Sequence, residues 1–427
     1  MPDFDLLIQG AQPFPNIGIA EGKIVSLDHG RAREEIQATG LRVLPGVVDA
    51  HVHFNEPGRA DWEGWETGSR AAVAGGVTTV GDMPLNSTPP LVTAEAFEAK
   101  LVAAKAKAIG DFAFWGGLVP ASVNQMEQLA AYGVIGFKAF MCHSGIDDFP
   151  RADLATLRTG MKRAAQLGLP VAVHAEFDPT GKPDGMTVRD YLKSRPVELE
   201  TAAIHAAIEI AGETGCALHV VHVSSARGLD LIAQAKTKGV NVTCETCPHY
   251  LIFTGEDMEQ IGAAAKCAPP MRDAANREAL WERVGKGGVD TIGSDHSPSP
   301  WSLKEDKNFF KVWGGVSSVQ HLLPVLLDAE MEPELLARLT AENPAKRFRL
   351  PGKGKIEIGA DADLVLVDMD APHTVTKDEL FYRHPHSPYV GRKLRAVVRR
   401  TLVRGQTVFQ DGKIVAKTMG NLVKPVL

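Results

Sequence analysis

The sequence predicts an α/β fold: a TIM-type (β/α)8 barrel with a small β-sandwich domain that both chain ends build together. From about residue 44 to about residue 300, short apolar runs rich in Val, Ile and Ala alternate with longer helical patterns, as parallel βαβ units do. Outside that span the pattern changes to short strands separated by turn signals.

The barrel strand candidates are residues 43–49, 77–81, 111–115, 134–139, 170–174, 217–222, 240–244 and 289–294. Helical segments fall between them, at Ala94–Ala108, Ala152–Leu167, Thr201–Thr214 and Ala226–Thr237 among others. Eight such units suit a closed barrel better than an open sheet. At the ends, Ile17 to Leu27 and then Ala362–Val367, Ala396–Val403 and Thr407–Val415 read as strands, with turns at Glu21-Gly22 and Asp411-Gly412. Neither end is large enough for a core of its own. Residues 1–46 and 346–427 are therefore expected to pair as one small β domain beside a barrel of residues 47–345, a division that the 427-residue length accommodates.

Composition excludes several classes of function. Hydrophobic residues at 44% and charged residues at 23% match folded globular chains and not disordered ones. A net charge of -6, with 46 Lys plus Arg against 52 Asp plus Glu, leaves no basic excess for a phosphate backbone, so no nucleic-acid partner is expected. The first residues, Met1-Pro2-Asp3-Phe4-Asp5, are acidic, and no apolar run reaches the roughly 18 residues of a membrane span; a cytoplasmic protein without a membrane partner is expected. The 5 cysteines form no disulfide framework in a chain this long. Cys244 and Cys247 make a C-x-x-C, open to a redox or half-zinc reading, but no second pair completes a structural zinc site, and buried thiols at a strand end are the simpler expectation.

The chemistry concentrates where strands end. The first barrel strand closes on Asp49-Ala50-His51-Val52-His53. Residues two apart on a strand point to the same side, so both imidazoles are expected at the C-terminal mouth, where barrel enzymes hold their active sites. An H-x-H alone is weak evidence for a metal site. Further strands, however, end on Lys138, His174, His222 and Asp295, and a hydrophobic strand gains nothing from such endings. By the same parity argument His219, three residues before His222, is expected to face away.

This set, in this order, resembles the amidohydrolase superfamily, and within it the cyclic amidohydrolase branch of dihydroorotases, hydantoinases, dihydropyrimidinases and allantoinases. The resemblance covers essentially the whole chain. It includes Val43-Leu44-Pro45-Gly46-Val47-Val48-Asp49-Ala50-His51-Val52-His53, Glu342-Asn343-Pro344-Ala345-Lys346 and Gly359-Ala360-Asp361-Ala362-Asp363-Leu364. It implies that His51, His53 and Asp295 hold one divalent metal ion and His174 and His222 a second, bridged by Lys138 as a carbamate. A lysine can become one only after losing its proton, which burial among histidines and metals favours. Zinc suits the ligands; manganese, cobalt, iron and nickel fit as well. The resemblance also gives Asp295 the catalytic role of moving a proton from water to the departing ring nitrogen.

Within the branch, dihydroorotases carry arginine where Asn55 stands, a partner for their substrate's carboxylate; Arg59 is the alternative partner here. Hydantoinases and dihydropyrimidinases place a tyrosine shortly after the bridging lysine, which Phe140-Met141-Cys142-His143-Ser144-Gly145 lacks. That loop, Trp62-Glu63-Gly64-Trp65-Glu66-Thr67-Gly68 and His386-Ser387-Pro388-Tyr389-Val390-Gly391-Arg392 are similar to allantoinases, which implies ring opening of allantoin to allantoate. Asn55, Asn86, Cys142 and Ser317 are the candidate substrate contacts, each with packing or turn geometry as a competing role. The competing enzymatic reading is a dihydroorotase or hydantoinase, and the reading from another class is a non-catalytic scaffold relative. A small-molecule ureide or amide substrate and a homo-oligomer, dimer or tetramer, complete the expectations.

Overall fold

The computed structural model describes residues 3–181 and 184–427. Four strands come first: β1 (Phe4–Gln9), β2 (Asn16–Ala20), β3 (Lys23–Ser26) and β4 (Ala32–Gln37). They form a sheet in the order β3-β2-β1-β4. The fifth strand, β5 (Arg42–Pro45), does not join them.

The parallel strands follow: β6 (Val47–Val52), β7 (Val77–Asp82), β8 (Asp111–Phe114), β9 (Gly116–Gly117), β10 (Phe137–Phe140), β11 (Val171–His174), β12 (Leu218–Val220), β13 (Val242–Thr246) and β14 (Thr291–Ile292). One sheet runs β6-β7-β8 and another β14-β13-β12-β11-β10-β9. Backbone bonds join them: Ile135 N donates to Phe114 O at 2.9 Å and Trp115 N to Asp82 O at 3.1 Å. At the other side a parallel bridge pairs Val52 with His296, and His53 N donates to His296 O at 2.7 Å.

Helices alternate with these strands, and their starts are written in the sequence. Thr93, Asp153, Ser225 and Asp273 each accept a backbone N–H in the first turn of Ala94–Lys107, Leu154–Gln166, Ala226–Thr237 and Ala274–Gly285. Such caps contribute about 1 kcal/mol each.

The chain then returns through β15 (Leu364–Asp368), β16 (His373–Thr374), β17 (Lys393–Leu394), β18 (Val397–Val403), β19 (Gln406–Gln410) and β20 (Lys413–Ile414). The sheet order β20-β19-β18-β15-β5 places β5 beside β15, with Leu44 opposite Val365. Leu6, Ile8, Ile17 and Ile36 of the first sheet bury against Val43, Leu364, Leu366 and Leu402 of the second. The last residues run back beneath the parallel strands, where Phe112 N donates to Asn421 O and Val423 N to Phe112 O.

Several boundaries differ from the expected ones for local reasons. The strand expected at 43–49 is split at Gly46, so that β5 pairs with the returning strands and β6 with the parallel set. A Cβ on Gly46 would lie 2.2 Å from Thr78 Oγ1, so the crossing passes too close for any side chain. The strand expected at 217–222 stops at Val220, and that at 289–294 covers only Thr291–Ile292. His222 and Asp295 lie just beyond, with left-handed φ of 41° and 47°. Among the described residues no helix is long and apolar enough to cross a membrane.

Candidate active site

The strand ends converge. On one side, His51 Nε2 and His53 Nε2 lie 3.2 Å and 3.4 Å from Asp295 Oδ1. On the other, His174 Nδ1 lies 2.9 Å from His222 Nε2. The His51 and His222 rings stand 5.5 Å apart between centroids, so the two groups share one pocket. Positive φ at His222 and Asp295 costs on the order of 1–2 kcal/mol per residue, and such strain is characteristic of functional sites.

Lys138 is fully buried beside them, its Nζ lacks a hydrogen-bond partner among the described residues, and it lies 5.0 Å from the centre of the Phe140 ring. Burial lowers its pKa to about 8, against the pull of Asp295 and Glu245. Burial likewise lowers His53, His174 and His222, keeping neutral imidazoles with lone pairs to offer. Burial alone would raise the Asp295 carboxyl, but His51, His53 and His222 around it hold it well below its usual range.

Carboxylates brace the histidines from behind. His51 Nδ1 is 2.6 Å from Glu245 Oε1, and His174 Nε2 is 3.5 Å from Glu176 Oε2. Glu176 is itself paired with Arg195. Burial would raise Glu245, yet the neighbouring His51 and His219 together outweigh it and hold the carboxyl at about 2. Imidazoles with one nitrogen toward a carboxylate and the other toward a shared centre are the arrangement of metal ligands. The donor set, with its unsatisfied buried amine, fits divalent cations. A different acidic group, Asp111, Asp361 and Asp363, surrounds the ammonium of Lys353 at 2.5, 2.9 and 2.8 Å and is an ion-pair network.

The centre opens into a cavity of about 970 Å³ whose wall includes His51, His53, Lys138, His174, His222 and Asp295. Asn86 and Cys142 line it too, whereas Asn55 and Ser317 are buried outside its lining. Asn55 takes a left-handed φ of 65° and its Nδ2 donates to Pro298 O at 3.3 Å. Arg59 Nη1 donates to Asn86 O at 2.8 Å and is not part of the wall. His219 points elsewhere, with Nδ1 2.8 Å from Thr243 Oγ1 and its ring against Phe348. The five cysteines are free and buried, including Cys244 and Cys247.

Sequence reasoning missed the wall cations. Arg195 is tied to Glu176, while Lys266 Nζ donates to three backbone carbonyls, those of Phe309, Phe310 and Val312. It also missed a clasp that the chain's last quarter places on the segments after β6 and β14: Arg383 Nε donates to Glu63 O at 2.6 Å, His384 Nε2 meets Asp61 O at 2.7 Å, His386 Nε2 meets Ser299 O at 2.8 Å, and Ser387 Oγ donates to Ser317 O at 2.7 Å. Only the run of polar residues in His384-Pro385-His386-Ser387 hinted at it.

A histidine and carboxylate centre at the ends of parallel strands, opening into a cavity, defines a candidate hydrolase site whose donors fit metal ions. Residues 42–408 match the amidohydrolase family, and the chain belongs to that family. It is a hydrolase acting on cyclic amides. Its relatives include the allantoinase of Rubrobacter xylanophilus, 51% identical and covering 100% of this chain and 98% of that one. Those of Solibacter usitatus and Deinococcus radiodurans are 48% and 46% identical, covering 96% and 99% of this chain and 93% and 99% of their own. Among solved structures, the L-hydantoinase (dihydropyrimidinase) of Arthrobacter aurescens superposes with a TM-score of 0.94 at 32% identity, covering 99% of this chain and 100% of that one.

Proposed function

We propose that this protein opens the hydantoin ring of allantoin with water to give allantoate, as a cytoplasmic enzyme of purine nitrogen salvage. The observation that carries this reading is the convergence of His51, His53, His174, His222, Lys138 and Asp295 on one cavity in a chain 40–51% identical to allantoinases over nearly its full length. His51, His53 and Asp295 would hold one divalent ion and His174 and His222 a second, most naturally zinc, with manganese, cobalt, iron or nickel as substitutes. Lys138 would bridge them as a carbamate: its neutral amine adds to carbon dioxide, an N–C bond forms and one proton is released. Its burial, lowered pKa and lack of a partner support this. Two bound cations supply Lewis acidity and make hydroxide accessible at neutral pH.

The remaining work falls to the chain's own groups. Asp295, held ionised, takes a proton from water and returns it to the ring nitrogen as the C–N bond breaks and the carbonyl carbon becomes a carboxylate. Asn86 and Cys142 would meet the ring, with Asn55 and Ser317 acting from behind the wall. Two cations of the wall are already engaged: Arg195 pairs with Glu176, and three carbonyls surround Lys266, so neither is free to meet dihydroorotate's carboxylate. The fold similarity to a hydantoinase favours hydantoin opening as the second reading. Comparing kcat/KM for allantoin, dihydroorotate and hydantoin at equal metal loading decides among them; a preference for dihydroorotate or hydantoin overturns the allantoin reading.

The architecture belongs to the same reading. Residues 47–345 form a (β/α)8 barrel closed between β14 and β6, and residues 1–46 and 346–427 form the small β domain; the Val52–His296 bridge and the β5–β15 pairing support this. The enzyme acts as a dimer or tetramer, which light scattering on the purified protein tests.

A further inference from the structure

We propose that Glu245 is the positioning residue of this centre: it fixes His51 in the tautomer that turns Nε2 toward the cations, and ties that side of the site to the segment bearing His222. The inference rests on the metal-binding reading above and asks what holds the ligands in place.

Glu245 lies on β13, which supplies no expected ligand, and it is as buried as His51. Its Oε1 is 2.6 Å from His51 Nδ1. A neutral imidazole carries one N–H, and a carboxylate at that distance accepts it, so the proton belongs on Nδ1. With a cation between Nε2 and Asp295, the lone pair is then on Nε2, the nitrogen on the Asp295 side of the ring. The same oxygen accepts the backbone N–H of His222 at 3.3 Å, where the chain has left β12 with a positive φ. One side chain thus touches one ligand from each side of the centre.

The surroundings are shaped to this carboxylate. Glu245 pairs in register with Thr291, and a Cβ on nearby Gly293 would lie 2.5 Å from Glu245 Oε2. Desolvating a carboxylate costs several kcal/mol, a cost that partners must offset. Glu176 stands in a comparable place behind His174, but its other partner is Arg195 and not a ligand of the opposite side.

The test uses Glu245→Gln with cobalt as the probe. An amide can turn its NH₂ toward Nδ1 and impose the opposite tautomer, so metal-loaded variant dialysed against a weak chelator should release cobalt at about ten- to hundred-fold lower chelator concentration than wild type. Visible spectra of the cobalt protein follow the loss independently of turnover, and circular dichroism checks the fold. A folded variant that retains cobalt like wild type overturns the proposal. On unmodified zinc-loaded protein, ¹⁵N-histidine NMR should find His51 protonated on Nδ1; an Nδ1 without its proton also overturns it, and this measurement decides the matter if the variant does not fold. Wild type that holds cobalt but leaves allantoin intact removes only the substrate reading, whereas wild type that holds none removes the metal reading and this one together.

Discussion

Lys353 Nζ lies 2.5 Å from Asp111 Oδ2, an ion pair that fastens β8 to the chain's returning third 242 residues later. Asp361 and Asp363 complete the cage, and these three carboxylates raise the lysine's pKa above its ordinary 10.5 despite burial. Lys353→Met would leave buried carboxylates short of a cation and is expected to lower stability by about 3–5 kcal/mol near neutral pH. Because the folded-state pKa is raised, the lysine's contribution is complete below about 10.5 and fades as pH rises through the higher folded value. Urea unfolding of both proteins across pH should show the gap narrowing only above that point.

Lys138→Ala is expected to lose most bound metal and activity, with short-chain carboxylates restoring part of each. In the unmodified protein, reconstitution at fixed dissolved carbon dioxide should quicken as pH rises through about 8, where the buried amine becomes neutral. Metal content and recovered turnover measured against pH check this; a flat profile with an active alanine variant would make Lys138 an ordinary core residue.

Asp295→Asn removes the proposed proton carrier while keeping the side chain's shape. Loss of general acid–base catalysis predicts a fall in kcat of about 10²–10⁴. Metal analysis of the same sample separates lost proton transfer from a lost ligand, since asparagine that empties the site would lower both.

Asn55 holds a left-handed φ of 65°, which asparagine tolerates better than most residues. Asn55→Ala is expected to cost about 1–2 kcal/mol in chemical denaturation, and Asn55→Gly less. Asn55→Arg should depress allantoin hydrolysis without creating dihydroorotate turnover, which parallel assays of the two rings would reveal.

Period-two geometry was enough to read His51 and His53 as a pair, and the alternation of apolar runs with helical patterns was enough to put His174 at the end of its strand, whereas Lys138 lies within β10 and His222 and Asp295 lie past β12 and β14. What escaped is non-local. Glu245 sits inside the C-x-x-C run, where the cysteines drew attention and nothing nearby marks the glutamate as the neighbour of His51, 194 residues away. Arg195 finds Glu176 only because the loop between β11 and the helix Val197–Thr214 folds back. Strand ends were read too long at His222 because left-handed backbone there is imposed by the site and not by local propensity.

The clasp of Arg383 to Ser387 has a bearing on the order in which the protein is made. A ribosome releases every expected metal ligand, ending at Asp295, well before it adds the residues that bind Glu63, Asp61, Ser299 and Ser317. Throughout that interval the nascent chain has its ligands but not its fastening, and β5 still waits for β15. The order of synthesis therefore separates assembly of the expected ligand set from the fastening of the segments around it.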